Sequence, residues 1–294
     1  MLWLCGTAVA QSSATVSQTG NSNEATTTQT NPNGHTVEAS TTQHGAGNTA
    51  TQTQTIADRF DGPVQLNATI QQQLGGNTAT QVQTFDAGAS STTMHAAVTQ
   101  QGSGTASQTQ SFNGFLTVSD IGAVIVQESG TGNSATQTQA GAGFFFVNTA
   151  LSAEIIQRGT GGNTATQTQH ALSGASNTVL NANIEQTGSG NTASQSQAGL
   201  ALFGEAEVMG SITQDGVGNL ATQVQVGGVS VSATVFQDGA TNQSYQTQVG
   251  SELSSIVSQV GDLNLSVVTQ TGSGHEAVVT QNGSNNRATI TQSN

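Results

Sequence analysis

One repeat constrains what this chain can fold into: Gln-x-Gly-x-x-Asn, closed six residues later by a second Gln. It is intact as Gln18, Gly20, Asn23 and Gln29, as Gln43, Gly45, Asn48 and Gln54, and as Gln186, Gly188, Asn191 and Gln197. It continues as Gln214, Gly216, Asn219 and Gln225, and as Gln237, Gly239, Asn242 and Gln248. The last two copies are Gln259, Gly261, Asn264 and Gln270, then Gln281, Gly283, Asn286 and Gln292. Degenerate copies fill the interval. Leu74 takes the Gly position before Asn77 and Gln83, and Asn is missing after Gly102. One residue is inserted near Gly130, before Asn133 and Gln139, and another near Gly159, before Asn163 and Gln169. These irregularities fall in expected turns, where insertion is tolerated best. A fixed period of this kind marks a repeat architecture, in which each unit buries its apolar face only against its neighbours.

The spacing defines the unit. First glutamines of successive repeats lie 22 to 30 residues apart, and Gln259, Gln270, Gln281 and Gln292 are spaced by 11. Each 11-residue half is therefore one strand and one turn, and two halves make a coil. Longer coils carry their extra residues after the second Gln, as in 140–150 and 198–209. Within a half, alternation puts Asn48, Ala50, Gln52 and Gln54 on one face and Thr49, Thr51 and Thr53 on the other. First strands likewise put Ala182 and Ile184 beside Gln186, Ala153 and Ile155 beside Gln157, and Ala233 and Val235 beside Gln237. The expected interior is thin and mixed: Ala, one branched aliphatic, and amides. The expectation is an all-β, cross-β solenoid of about 11 stacked strand-turn-strand coils from Ala14 to Asn294, in two parallel in-register sheets. In-register stacking sets each Gln and Asn above its copy at about 4.8 Å, where amide bonds to amide.

Composition removes other classes. Only 6% of the 294 residues are charged and 4% are aromatic, with 36 Gly and 2 Pro, which is not an enzyme profile. Three basic against 16 acidic residues leave a net charge of −13, which repels phosphate backbones, so no nucleic-acid partner is expected. No run of about 20 apolar residues is present beyond the N-terminus, so membrane insertion is not expected either. The single Cys excludes a disulfide framework. It lies in an apolar stretch, residues 1–10, that ends Ala8-x-Ala10 and reads as a signal-peptide remnant before the repeat domain, 11–294. His35, His44, His95, His170 and His275 occupy unrelated repeat positions, with at most His44 in a turn, and read as scattered surface histidines. Neither a metal, a cofactor nor a catalytic constellation is specified. Asp215 and Asp238 sit between Gln and Gly, where Asp favours turns and acts as an aggregation gatekeeper.

At these repeat residues the chain resembles curlin, the major subunit of curli, a secreted bacterial amyloid fibre. The resemblance covers about Ala14 to Asn294. It implies a solenoid that extends a fibre end by strand augmentation, as a structural component of biofilm matrix, adhesion and cell aggregation. It also implies an outer-membrane secretion pore, periplasmic chaperones and a nucleating minor subunit as partners, besides other copies of the chain. The final coil carries no capping helix, Lys or Pro, the devices that usually block strand edges. An alternative is a monomeric solenoid that binds ice or another surface through its outward array. That array comprises Thr49, Thr51 and Thr53, Thr78 and Thr80, Ser134, Thr136 and Thr138, and Thr164, Thr166 and Thr168. Apolar inserts at Phe112–Leu116, Phe144–Val147 and Leu200–Phe203 are expected on one rim, packed on one another or forming a lateral interface.

Overall fold

A computed structural model describes residues 11–294 apart from 33, 58–62, 89–90, 116, 144–146, 175–176 and 203–205. The signal-peptide stretch and the centre of the Phe144–Val147 insert lie outside the described residues. β1 (Gln11–Thr19) and β2 (Glu24–Thr30) form the first coil, followed by β3 (Thr36–His44) with β4 (Thr49–Ile56) and β5 (Val64–Gln73) with β6 (Thr78–Gly88). β7 (Ser91–Phe115) and β8 (Thr117–Gly143) each make a coil alone, running extended through the turn. Then come β9 (Val147–Gly161) with β10 (Thr164–Gly174), β11 (Thr178–Ser189) with β12 (Thr192–Leu202), and β13 (Ala206–Val217) with β14 (Leu220–Gly227). β15 (Val231–Ala240) with β16 (Gln243–Ser251), β17 (Leu253–Val260) with β18 (Leu265–Ser273), and β19 (Glu276–Asn282) with β20 (Arg287–Ser293) complete the stack.

Every strand pairing is parallel, and the repeats set the register. One inward row runs Val16, Thr41, Ile70, Val98, Ile125, Ile155, Ile184, Ile212, Val235, Val257 and Val279, each paired with the next. The described residues thus form an all-β solenoid. First strands pair with first strands and second with second, in the two parallel in-register faces expected, and these join into one network only where β7 and β8 run through the turn. The physical reason lies in the degenerate repeats. Where Asn is missing after Gly102, Gly104 takes the position opposite Asn133, and the register shifts on both sides of Ser103. The turn shortened at Gly102 and the one lengthened near Gly130 pair with each other across this shift, and β7 and β8 each continue from one face to the other.

The interior holds two apolar cores rather than one thin one. Nearest the Gly turn, Ile70, Val98, Ile125, Ile155, Ile184 and Ile212 pack with Ala50, Ala79, Ala106, Ala135, Ala165 and Ala193. Beyond the glutamines lies a second core. First strands contribute Val37, Leu66, Met94, Ile121, Leu151, Leu180 and Val208, and second strands contribute Ile56, Phe85, Phe112 and Ala171. Each fully buried aliphatic or aromatic side chain there stabilises the stack by roughly 1.5–3 kcal/mol. Phe85 and Phe112 stack with centroids 5.8 Å apart and planes 9° from parallel. Phe112, the first residue of one insert, is therefore inward and packs on its neighbour.

Two histidine expectations change. His35 is buried, with Asn31 Nδ2 donating to its carbonyl and its own N–H donating to Asn31 Oδ1. That reciprocal clasp folds the 31–35 loop against the stack. His44 is the exposed last residue of β3 rather than part of a turn.

Candidate functional site

The repeat residues converge into hydrogen-bonded ladders along the stack. In the first ladder each Gln Nε2 donates to Oε1 of the next coil's Gln, from Gln18 to Gln43 at 2.6 Å through to Gln259 and Gln281 at 2.8 Å. The closing glutamines form a second ladder that begins with Gln29 donating to Gln54 at 3.0 Å. Its later rungs run from Gln197 to Gln225 at 3.0 Å, to Gln248 at 3.1 Å, to Gln270 at 2.8 Å and to Gln292 at 2.8 Å. The second amide hydrogen crosses the core. Gln186 Nε2 also donates to Thr164 O at 3.0 Å, and Gln169 Nε2 to Ser152 O at 3.0 Å. Each of these glutamines therefore bonds to the next coil and to the facing strand, which explains how an amide is buried without loss.

Asparagine forms another ladder at the turn. Asn191 Oδ1 accepts the backbone N–H of Asn219 at 3.0 Å, and Asn219 Oδ1 accepts that of Asn242 at 2.9 Å. Asn242 Oδ1 accepts the Asn264 N–H at 3.1 Å, and Asn264 Oδ1 accepts that of Asn286 at 3.0 Å. Asn219 Nδ2 in turn donates to Asp215 O within its own turn and to Gly239 O of the next coil, at 3.1 and 3.0 Å. At the missing repeat, Gly104 N–H still donates to Asn77 Oδ1 at 3.2 Å, but glycine offers no side-chain acceptor to Asn133. The Asn ladder is interrupted at that coil.

The repeat glycines belong to the turn and not to the inward face: Gly20 is exposed, and Gly45 and Gly261 are half-buried. Each backs onto the turn carbonyl of the next coil, Gly20 onto Gly45, Gly45 onto Leu74, and Gly261 onto Gly283. Gly188 shows what this close approach requires. Its φ is +102°, and a Cβ there would overlap the carbonyl oxygen of Gly216 in the next coil. Leu74, standing in for Gly, adopts φ +67° at the equivalent turn.

A third amide ladder was not among the expected site residues: Gln52, Gln81, Gln108, Gln137, Gln167, Gln195, Gln223 and Gln246 donate one to the next. Its signal was the inward alternation two residues before each closing Gln. This ladder is closed by hydroxyls, Thr41 Oγ1 donating to Gln52 Oε1 and Gln246 Nε2 donating to Ser255 Oγ, both at 2.9 Å.

The outward surface is nearly uncharged on the threonine face. Thr49, Thr78, Thr105, Ser134, Thr164 and Thr192 stack in one row, which Leu220 and Leu265 interrupt. On the other face Arg158 binds two carboxylates at once. Its Nε lies 2.9 Å from Glu128 Oε2 on the preceding coil, and Nη1 bonds Glu185 on the following one. Hydrogen bonding to Glu128 raises the guanidinium above its ordinary value.

Among the described residues the ladders end on two outer rungs, formed by β1 with β2 and by β19 with β20. Every residue of β1 is exposed, and β20 alternates between exposed and half-buried, whereas interior strands alternate with fully buried positions. Residues 261–293 match the family model described as the curlin associated repeat. The chain carries the curlin repeat. The match spans Gly261, Asn264, Gln270, Gln281, Gly283, Asn286 and Gln292, and the register extends the same positions through the earlier coils. No curated protein matches the chain. The curlin repeat is thus seen here as a set of amide ladders with one donor direction. On the two outer rungs of the described residues, these backbone and amide groups are exposed or half-buried.

Proposed function

We propose that the protein is a structural subunit that self-assembles into extracellular cross-β fibres, and that polymerisation, not catalysis, is its activity. The observation that carries this reading is the pair of outer rungs, on which Gln, Asn, Ala and Val occupy the same register positions as in the coils between them. A second copy that stacks its first coil on the last coil of another continues the Gln, Asn, Ala and Val rows with the same residue type, Gln281 with Gln18, Gln292 with Gln29, Asn286 with Asn23, Ala277 with Ala14, Ala288 with Ala25 and Val279 with Val16. The curlin repeat supports a curli-like role on the bacterial cell surface, in biofilm matrix, adhesion and cell aggregation. By the same resemblance, a nucleating subunit, periplasmic chaperones and an outer-membrane pore are its proposed partners.

Seeded assembly tests the reading. The chain is diluted from denaturant with and without sonicated preformed fibres, followed by light scattering, and imaged by negative stain. Unbranched fibres with a meridional spacing of about 4.7–4.8 Å and growth accelerated by seed are expected. A folded monomer that stays soluble with seed present overturns the reading. The threonine face would then be tested for thermal hysteresis.

A further inference from the structure

The row one residue after the turn Asn runs along the threonine face: Glu24, Thr49, Thr78, Thr105, Ser134, Thr164, Thr192, Leu220, Gln243, Leu265 and Arg287. Its two charged members, Glu24 and Arg287, have opposite sign and lie on the two outer rungs. All positions between them are uncharged. In-register stacking accounts for that: a charge repeated in this row would face its like on the next rung, about 4.8 Å away. In this row the charges are confined to the outer rungs, where the sign each carries meets whatever stacks on it.

We propose that Glu24 and Arg287 key the last rung of one copy to the first rung of the next, making the junction head-to-tail and directional. This rests on the fibre reading above and adds the contact that selects the two faces. Both side chains are exposed, and both sit on the outer surface of their strands. When the last rung receives a second copy in the same register, Gln281 meets Gln18, Asn286 meets Asn23, Val279 meets Val16 and Gln292 meets Gln29. Arg287 then stands directly over Glu24. The stack already contains such a pair, since Glu128 and Arg158 are register partners on adjacent coils and their side chains bond at 2.9 Å.

Charge on the rest of both rungs agrees with this pairing. Glu24 is the only charged side chain between residues 11 and 30, and Glu276, the remaining charge on the last rung, falls opposite Ser13. First rung on first rung, or last on last, turns one copy over, so the strands meet antiparallel, the parallel register is lost and Glu24 has no Arg287 to pair with. The amide ladders have the same polarity, because Nε2 always faces the following coil. In a protein of net charge −13, a local attraction at the junction also offsets general repulsion between subunits.

A charge exchange tests the proposal in the full chain. Glu24→Arg and Arg287→Glu are each elongated from fibres of their own kind at low ionic strength, and each is expected to grow about 3- to 10-fold more slowly than wild type. Glu24→Arg is the decisive single variant. It lowers the net negative charge, which on its own would speed association. An equimolar mixture of the two variants restores opposite charges at every alternating junction, and the double variant restores them in reverse; both are expected within about twofold of the wild-type rate. At about 1 M salt the differences should close. Glu207→Arg, an exposed change of equal charge far from the junction, controls for net charge and should not slow growth. Singles that grow as fast as wild type overturn the proposal, as do singles whose slowness survives mixing and the double exchange, or a Glu207→Arg equally slow. A wild-type chain that is not seeded at all overturns the fibre reading itself, and is distinguished by that control.

Discussion

Gln186 Nε2 donates to Gln214 Oε1 across 2.8 Å, from one coil to the next, inside a core that excludes water. Gln157 Nε2 in turn donates to Gln186 Oε1 at 2.9 Å. Gln186→Leu therefore leaves an unpaired acceptor on Gln214 and removes one partner from Gln157, while Thr164 O loses its amide donor. At roughly 1–3 kcal/mol for each buried group left unpaired, a loss of about 2–5 kcal/mol is expected. Hydrogen exchange should show the loss in β9 to β14, on both sides of the altered coil, with β1 to β4 unaffected. Protection lost equally along the whole stack would show that coupling is not confined to neighbouring coils.

Two glycines of one turn should respond differently to the same substitution. Gly188 has φ +102° and a carbonyl oxygen standing where its Cβ would need to be, whereas Gly190 has φ +63° and nothing within 4 Å. Gly190→Ala bears only the left-handed backbone cost, about 1–2 kcal/mol. Gly188→Ala adds a clash with the next coil's backbone, which cannot move without breaking register, for a total of about 2–5 kcal/mol. The difference in urea midpoint between the two variants checks this. Equal midpoints would mean that coil spacing adapts to a methyl group.

Much of this architecture was legible in the sequence because the Gln, Gly and Asn positions carry both the turn and the register. Alternation then placed Ile184 and Gln186 inward and Thr49, Thr51 and Thr53 outward, as observed. The second core was not legible. Phe85 and Phe112 follow the closing glutamines, where coil length varies, and their contact joins two coils rather than neighbours in sequence. The burial of His35 escaped for a similar reason: it depends on the Asn31 clasp outside the repeat. Gly104 in the place of an Asn was visible as a missing residue, but its effect, strand continuing through the turn, belongs to the register of its neighbours. At the outer rungs, the opposed charges of Glu24 and Arg287 emerge only once the stacking row is drawn.

Arg158 bridges Glu128 and Glu185 on the two coils beside its own, and all three side chains are partly exposed. Arg158→Gln removes the guanidinium and leaves two carboxylates close together on one surface. A cost of about 0.5–1 kcal/mol is expected at low ionic strength, since exposed ion pairs contribute little each. Added salt should shrink that cost, because screening acts on attraction in the parent and repulsion in the variant alike. The raised guanidinium pKa means that the charged form is favoured in the fold, a contribution present throughout the neutral range and lost only at strongly alkaline pH. Urea midpoints at low and high salt measure the effect; a salt-independent loss would assign Arg158 a packing role instead.

Two buried serines should respond in opposite directions to the same change. Ser266 occupies a row that is otherwise mostly alanine, between Ser244 and Ala288, and its hydroxyl has no hydrogen-bond partner. Ser255 is equally buried, but its Oγ accepts from Gln246 Nε2 at 2.9 Å and closes the third amide ladder. Ser266→Ala removes an unpaired polar atom at nearly constant volume, so a gain of about 1 kcal/mol is expected. Ser255→Ala strips the ladder of its terminal acceptor, so a loss of about 1–2 kcal/mol is expected. Both substitutions delete the same atom from the same kind of strand position, so propensity and volume cancel in the comparison. Opposite shifts in urea midpoint would show that satisfaction of the amide ladder, rather than burial of apolar area alone, decides the stability of a coil. Shifts of the same sign would remove that distinction and leave packing of the apolar rows as the main source of coil stability.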